Sequence, residues 1–527
     1  MNELAALKAE NERLRASDKQ KDELILTLQN LIAELKQNNE NLTEIIHQMR
    51  KDKYGASSEK TVGTDGTTTQ LSFFNEVEIE CNPKAAEPIE RTPKGFKGKA
   101  KKVRRVEILQ DLPVRIVECD APDEELICPR CSTELKLIGT ETVREELEYI
   151  PAKLQVVRYV RKAYECPKCK HTDKPYIIKS LAPTSLMNHS LASPSSVAHV
   201  MYQKYVNGVP LYRQEKDWER MGILLTRATM ANWVIRCSED YFFPVVRYMK
   251  QLLIQRDFIH ADETPVQVLK ENGKSPQSKS YMWLYRTGND GDYPIILYDY
   301  KPSRSGDEAA KYLKGFTGYL HSDGYSGYNK MTEVTRCGCW AHLRRKFIEA
   351  IPARKASSIS NAEIGRDYCD KLFAIEADLA DLSPEDRYNK RLELEKPVLE
   401  AFWSWLDSVN ALRGSKLATA ITYANNQKPY MENYLLDGRC SISNNAAENA
   451  IRPFVMGRKN WLFADTPKGA DASAAVYSII ETAKANGLDT FAYLERLLMH
   501  MTDWDHSTEH LDELMPWSEF MQEECKA

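Results

Sequence analysis

Three carboxylates stand out by their surroundings. Asp262 lies near the end of the short apolar run DFIHADE, Asp323 ends GYLHSD, and Glu448 sits in SNNAAENAIRPFVMGRKNWLF. Arg452, Arg458 and Lys459 follow Glu448 at helical spacings. A lone acid in so basic a neighbourhood has two readings. One is a surface salt bridge, which contributes little. The other is a metal-binding carboxylate beside cations that hold a phosphate backbone, and that reading needs partners. Three hard oxygen ligands on rigid elements suit Mg²⁺ or Mn²⁺. Two such ions activate a water or a 3′-hydroxyl on one side of a phosphodiester and stabilise the leaving oxygen on the other.

The elements that must position these acids are legible as changes of period. DFIHADE and VQVL read as strand, SYMWLYR follows the turn ENGK, and PIILYDY makes a third strand. SGDEAAKYLKGF reads as helix, GYLHSD as a fourth strand, EVTRCGC as a fifth and WAHLRRKFIEA as helix. That order matches an RNase H-like sheet. On it Asp262 and Asp323 would converge, because adjacent strands lie about 4.8 Å apart. Glu448 would come from a helix crossing behind the sheet, capped by Ser443 or Asn444 and kinked or ended at Pro453. Glu263 competes with Asp262, but strand alternation sends the two to opposite faces.

The chain has 527 residues, 42% of them hydrophobic, so several domains are expected. A formal net charge of −4 gives no global polyanion signal, and any nucleic-acid case rests on local clusters. No window approaches the roughly 20 apolar residues of a membrane span, and Met1 leads into charged helix, so a cytoplasmic protein is expected.

Leu7, Leu14, Lys21, Leu28, Leu35, Leu42 and Met49 form one seven-residue series, with Leu4, Asn11, Asp18, Ile25, Ile32, Asn39 and Ile46 as its companion. This heptad seam predicts a parallel coiled-coil homodimer, with a helix packed on its own domain as the plainer reading. TPKGFKGKAKKVRR, with Lys101, Lys102, Arg104 and Arg105, reads either as a basic arm lying along phosphates or as a solubilising charge run. Cys128, Cys131, Cys166 and Cys169 form two CPxC knuckles around strand-like residues. Four thiolates close a structural Zn²⁺ site, in a zinc-ribbon-like β module; redox CxxC chemistry is the alternative.

In WERMGILLTRATMANWVIRC a helix ends at Gly222 and Thr226 caps the next. That second helix exposes Arg227, Thr229 and Asn232 and turns Met230 and Val234 inward. A helix-turn-helix entering the major groove and an ordinary helical hairpin fit equally well. Cys337, Cys339 and His342 could form a second metal site, but without a fourth ligand they read as buried thiols and a structural histidine. His342, Arg344 and Arg345 follow the fifth strand and are candidate DNA contacts. Trp340 and Trp461 read as packing residues and Glu481 as an ordinary surface acid.

HADETPV, SDGYSGY, CWAHLRRKF and NNAAENAIRPFVMGRKNWLF resemble successive blocks of the IS66-family DDE transposases. The zipper, KYGASSEK, the CPxC knuckles, KYVNGVPLYRQE and SIIETAKANGLDTFAYLERLL resemble the same family in the same order. The resemblance implies Asp262, Asp323 and Glu448 as the catalytic acids and a helical insertion between the fifth strand and the last acid. It further implies cleavage at element ends and strand transfer, with DNA (terminal inverted repeats and target) and small accessory proteins of the same element as partners. A bacterial, nucleoid-associated location when bound to DNA is implied too.

The expected architecture is multidomain α+β. It comprises a leucine-zipper coiled coil (1–52), a flexible linker and basic arm (53–110), a zinc-binding module (111–182) and a helical DNA-binding region (183–253). An RNase H-like catalytic core (254–344) follows, then the helical insertion (345–440), the final catalytic helix (441–470) and a C-terminal helical element (471–527). A dimeric sequence-specific DNA-binding regulator without catalysis is the alternative function.

Overall fold

The computed structural model describes residues 154–160, 162–165, 177–179, 181–288, 290–352 and 359–526, with residues 10, 13, 15, 18–29, 31, 32 and 35 near the start. Chain contacts divide the protein into two units, residues 54–155 and the rest. Nearly all described residues belong to the latter. The basic arm and Cys128, Cys131, Cys166 and Cys169 lie outside the described residues, as does most of the heptad seam. Residues 18–29 are helical, and Ile25, Leu28, Ile32 and Leu35 of the seam stand about half exposed.

Strands β1 (Ala163–Glu165) and β2 (Ile177–Lys179) pair antiparallel on either side of the second knuckle. Helices α1 (Pro194–Tyr205), α2 (Leu211–Arg220), α3 (Arg227–Cys237) and α4 (Phe243–Leu253) follow. The Thr226 hydroxyl accepts from the Thr229 N–H and starts α3, as its sequence predicts. Met230 and Val234 are buried, while Arg227 and Asn232 are exposed. Gly222, at φ +88°, makes the turn between α2 and α3 with a backbone that side chains rarely adopt.

A five-stranded mixed sheet forms the centre. Its strands are β3 (Phe258–Gln267), β4 (Lys279–Thr287), β5 (Ile296–Lys301), β6 (Tyr319–His321) and β7 (Thr335–Cys337), in spatial order β5-β4-β3-β6-β7. The β3–β4 and β4–β5 pairs are antiparallel, and the β3–β6 and β6–β7 pairs parallel. The short helix α5 (Gly306–Tyr312) lies between β5 and β6 in sequence. The antiparallel pairs follow hairpin turns, whereas the parallel ones need longer crossovers.

After α6 (Trp340–Ala350) come α7 (Asn361–Asp378), α8 (Pro384–Leu394), α9 (Lys396–Ser408) and α10 (Lys416–Met431). Helices α7, α9 and α10 share an apolar core with Trp340, Leu343 and Phe347 of α6 and with Phe258 and Cys337 of the sheet. Trp340 is fully buried and its indole N–H donates to the Met431 carbonyl at 2.9 Å, a packing role. Helices α11 (Asn445–Trp461), α12 (Pro467–Ala485), α13 (Thr490–Met501), α14 (Thr508–Glu513) and α15 (Glu519–Glu524) complete the chain. Along α12, the Ser478 and Thr482 hydroxyls accept from the N–H groups of Tyr298 and Ile296 on edge strand β5. That pairing covers a sheet edge that would otherwise be open.

Two expectations fail here. Helix α11 runs through Pro453 and ends at Trp461, where Leu462 takes φ +65°. Proline lacks the N–H that would bond the Asn449 carbonyl one turn back. Tyr298 donates to the Ala450 carbonyl and Arg286 to that of Ala446, so the sheet fastens the helix just before the proline. Glu481 is not a surface acid: it is buried on α12 and paired with Lys484 at 2.8 Å.

Buried Arg391 of α8 ties the insertion to the segment that leads into α11. Its guanidinium grips both Glu376 oxygens at 2.6 and 2.8 Å and donates to the carbonyls of Tyr434, Asp437 and Cys440. Removing one partner of such a pair leaves an uncompensated buried charge. Arg391→Ala should therefore lower stability by about 3–5 kcal/mol in urea unfolding followed by tryptophan fluorescence. A loss below about 1 kcal/mol, typical of an exposed pair, would contradict this role.

Candidate active site

The register of the sheet and the pitch of one helix bring the three acids together. Along β3 and its neighbour β6, His260 pairs with His321. Asp262 and Asp323 each lie two residues further on, in the repeated patterns HAD and HSD. Residues two apart on a strand share a face, so Asp262 follows His260 on one face of β3, while Asp323 lies just past the end of β6. The two imidazoles stack with centroids 4.3 Å apart and are buried. Burial pulls His260 down to about 4 and His321 lower than its usual value too, so this pair stays neutral beneath the acids.

Helix α11 lies on β3 and β4. Asn444, just before its first turn, does not cap it with its side chain. The amide instead reaches the strand: its nitrogen donates to the Ala261 carbonyl at 2.8 Å, and its oxygen meets His260 Nδ1 at 3.0 Å. The Asn444 N–H donates to Cys339 Sγ at 3.2 Å. One helical turn on is Glu448, and two strand residues past His260 is Asp262. Asn444 thus fastens the start of α11 to the strand, and Glu448 is near enough for its charge to act on Asp262.

Asp262 is largely buried and its carboxyl is pushed up to about 8. Burial is the main cause, followed by the negative charges of Glu263, Asp323 and Glu448; one backbone N–H, from Glu263, opposes them. Asp323 accepts from the Tyr325 N–H at 2.9 Å. Glu448 Oε2 meets Arg345 at 3.2 Å, while Oε1 is buried without a hydrogen bond, 3.5 Å from His342 Nδ1. Burial holds His342 below its ordinary value. An orphaned carboxylate oxygen beside an aspartate that resists ionising is the environment a divalent cation relieves, so these donors fit Mg²⁺ or Mn²⁺.

Glu263 is engaged elsewhere. Its side chain is 1% exposed and takes Arg304 at 2.6 Å and the Tyr328 hydroxyl at 2.7 Å. Burial, then Asp323, raises its carboxyl.

The other candidate residues scatter. Arg345 reaches Glu448, but Arg344 pairs with Asp370 of the insertion. Arg452 and Lys459 are exposed on α11 and Arg458 is partly buried. Arg227 and Asn232 lie on α3, where Asn232 lines an open hollow with Asn188, His189 and Arg236. Cys337, Cys339 and His342 do not form one cluster. Cys339 and His342 lie beside Glu448, whereas Cys337 groups with His321 and Cys440. The chain leaves β7 after Cys337 and turns into α6, which carries residues 337 and 339 to different neighbours. The sequence offers Asn444 as a cap and does not reveal its tether to β3, nor the histidine stack, although the repeated His-x-Asp pattern is a usable signal for the stack.

A raised carboxyl gives a signed expectation. Folding raises the Asp262 pKa from its ordinary value near 4 to about 8. Its penalty on the folded state is absent below pH 4 and grows as pH rises to 8. In chelator at pH 8, Asp262→Asn should melt a few degrees above the wild type, the gap closing near pH 4. Mg²⁺ or Mn²⁺ should raise the wild-type melting temperature and leave that of the variant unmoved. A variant less stable than wild type in chelator at pH 8 would contradict the charge crowding.

Residues 189–472 match the model of the transposase IS66 family. Residues 125–170, which contain both CPxC knuckles, match the zinc-finger binding domain of transposase IS66. Residues 478–517 match the IS66 C-terminal element, and residues 41–117 a model described as transposase C of IS166 homeodomain. Uncharacterized protein y4qI of Sinorhizobium fredii is 28% identical over 98% of this chain and 93% of its own length. Uncharacterized proteins y4hP and y4jD of the same organism are 28% and 27% identical over 90% and 88% of the chain and 87% and 92% of their own lengths. With its acids gathered on one sheet face and the family model covering more than half its length, the chain belongs to the IS66 family of transposases.

Proposed function

We propose that the chain is a DDE transposase in which Asp262, Asp323 and Glu448 hold two divalent cations, cut the ends of a mobile element and join the freed 3′-hydroxyl to target DNA. The observation that carries this is the convergence of the three carboxylates through the β3–β6 register and the Asn444 tether. The order β5-β4-β3-β6-β7, with its antiparallel half and parallel half, supports an RNase H-like reading of the sheet. Bound Mg²⁺ or Mn²⁺ would supply the activated oxygen nucleophile and stabilise the leaving oxygen.

The chain's own groups do the positioning. Glu263 stays locked to Arg304 and Tyr328, leaving Asp262 as the β3 ligand. Arg345 orients Glu448, and Arg452, Lys459 and Arg458 suit flanking phosphates. Arg227 and Asn232 on α3 suit a DNA groove, and Lys101, Lys102, Arg104 and Arg105 a phosphate-following arm. Cys128, Cys131, Cys166 and Cys169 would hold structural Zn²⁺, a reading supported by the zinc-finger match. The N-terminal heptads would pair two copies, and small accessory proteins of the same element would be further partners. Among the described residues no helix is long and apolar enough to cross a membrane, which agrees with work on DNA in the cytoplasm.

Asp262→Asn, Asp323→Asn and Glu448→Gln should each reduce Mg²⁺-dependent cleavage of element-end DNA by about a thousandfold or more, with binding to the same DNA nearly unchanged. Retained cleavage in any of these purified variants would remove that residue from the assignment. Sequence-specific binding by the wild type with no Mg²⁺-dependent nicking would point to a regulator instead.

A further inference from the structure

Behind the aspartate pair lies a second cluster that the proposed chemistry does not use. His321 ends β6, Cys337 ends β7, and Cys440 lies in the segment leading into α11. Each is 1% exposed. One ligand atom from each falls within 4.8 Å of the others. The Cys337 and Cys440 thiols are hydrogen-bonded to each other. The His321 ring faces two backbone groups: Nε2 accepts from the Ser441 N–H at 3.0 Å, and Nδ1 lies near the Ile259 carbonyl without a hydrogen bond of good geometry.

We propose that His321, Cys337 and Cys440 form a binding site for a thiophilic d¹⁰ cation, Zn²⁺ or Cu⁺, distinct from both the CPxC module and the acid site. Two thiols and an imidazole are the donor set such cations prefer over oxygen-seeking Mg²⁺. Two metal–sulfur bonds of about 2.3 Å span at most about 4.6 Å, so ligand atoms already this close need a small inward shift, with His321 Nε2 exchanging the Ser441 N–H for the cation. A backbone carbonyl near the other His321 nitrogen resembles the outer-shell partner that orients ligating histidines.

Binding would expel the two thiol protons to solvent and leave two thiolates. Their charge is offset in full by Zn²⁺ and in part by Cu⁺. Ordinary packing accounts for one buried thiol at a time. It gives no reason for two thiols and an imidazole from three separate segments to meet in a dry core. The cation would clasp β6, β7 and the lead into α11, two residues before Asp323 and eight before Glu448, bracing the acids without touching DNA.

The test is metal stoichiometry of the full chain, purified under reductant and loaded with Zn²⁺ or, anaerobically, with Cu⁺. The wild type should hold one more equivalent of one of these cations than Cys337→Ser/Cys440→Ser, and the arm that shows the difference identifies the ion. Equal counts in both arms would overturn the site. A variant that leaves this core intact guards against misfolding: the chain with Cys128, Cys131, Cys166 and Cys169 all changed to serine. It should still take up one Co²⁺ with thiolate-to-metal absorption about half that of a four-thiolate ion. Absence of that absorption would overturn the proposal. So would a Cys337–Cys440 disulfide in chain kept under reductant, seen by mass spectrometry.

Discussion

Asp262 is buried beside Glu263, Asp323 and Glu448, whose negative charges all act on it, and the surrounding architecture holds these acids near one another. Asp262 records the repulsion most directly, since burial and its acidic neighbours keep its proton on well above the ordinary range. An isolated acid would turn to water. Here the aspartates cannot separate, because each follows a histidine on adjacent parallel strands whose register is fixed by backbone hydrogen bonds. Glu448 cannot withdraw because Asn444, one turn earlier, is bonded to the strand that carries Asp262.

That constraint explains the polar residues around the site. Arg304 and Tyr328 take Glu263 out of contention, so a fourth carboxylate adds charge without competing as a ligand. Arg345 offsets one oxygen of Glu448 and leaves the other uncommitted. Arg336 donates to the Asp323 carbonyl and the Ser322 hydroxyl from within the core, pinning the end of β6. The insertion contributes at a distance. Through Arg391 it grips the segment from Tyr434 to Cys440, and so fixes where α11 begins. A helical subdomain far from the chemistry in sequence thereby sets the position of the last acid.

Much of this was legible from residues alone, because strand and helix periods are strong local signals. The five strands, the cap at Thr226 and the inward faces of Met230 and Val234 follow directly from those periods. What was not legible depended on tertiary partners. Asn444 looks like a helix cap, and only the strand beside it reveals a tether. Pro453 looks like a helix end or kink, yet the helix, fastened to the sheet by Tyr298 and Arg286 just before it, continues to Trp461. Glu481 looks solvated until α12 is laid on β5. Cys337 illustrates the same limit: it finds its company at Cys440, far along the chain, and no spacing rule joins the two.

The most direct measurement is to let a bound ion mark its own ligands. Fe²⁺ substituted for Mg²⁺, with ascorbate and peroxide, generates hydroxyl radicals that cut the backbone beside the ion. Cuts at three places, next to Asp262, Asp323 and Glu448, all suppressed by excess Mg²⁺, are the expected result. Mg²⁺-sensitive cuts near only one or two of these residues, or at an unrelated site, would contradict a shared cation site.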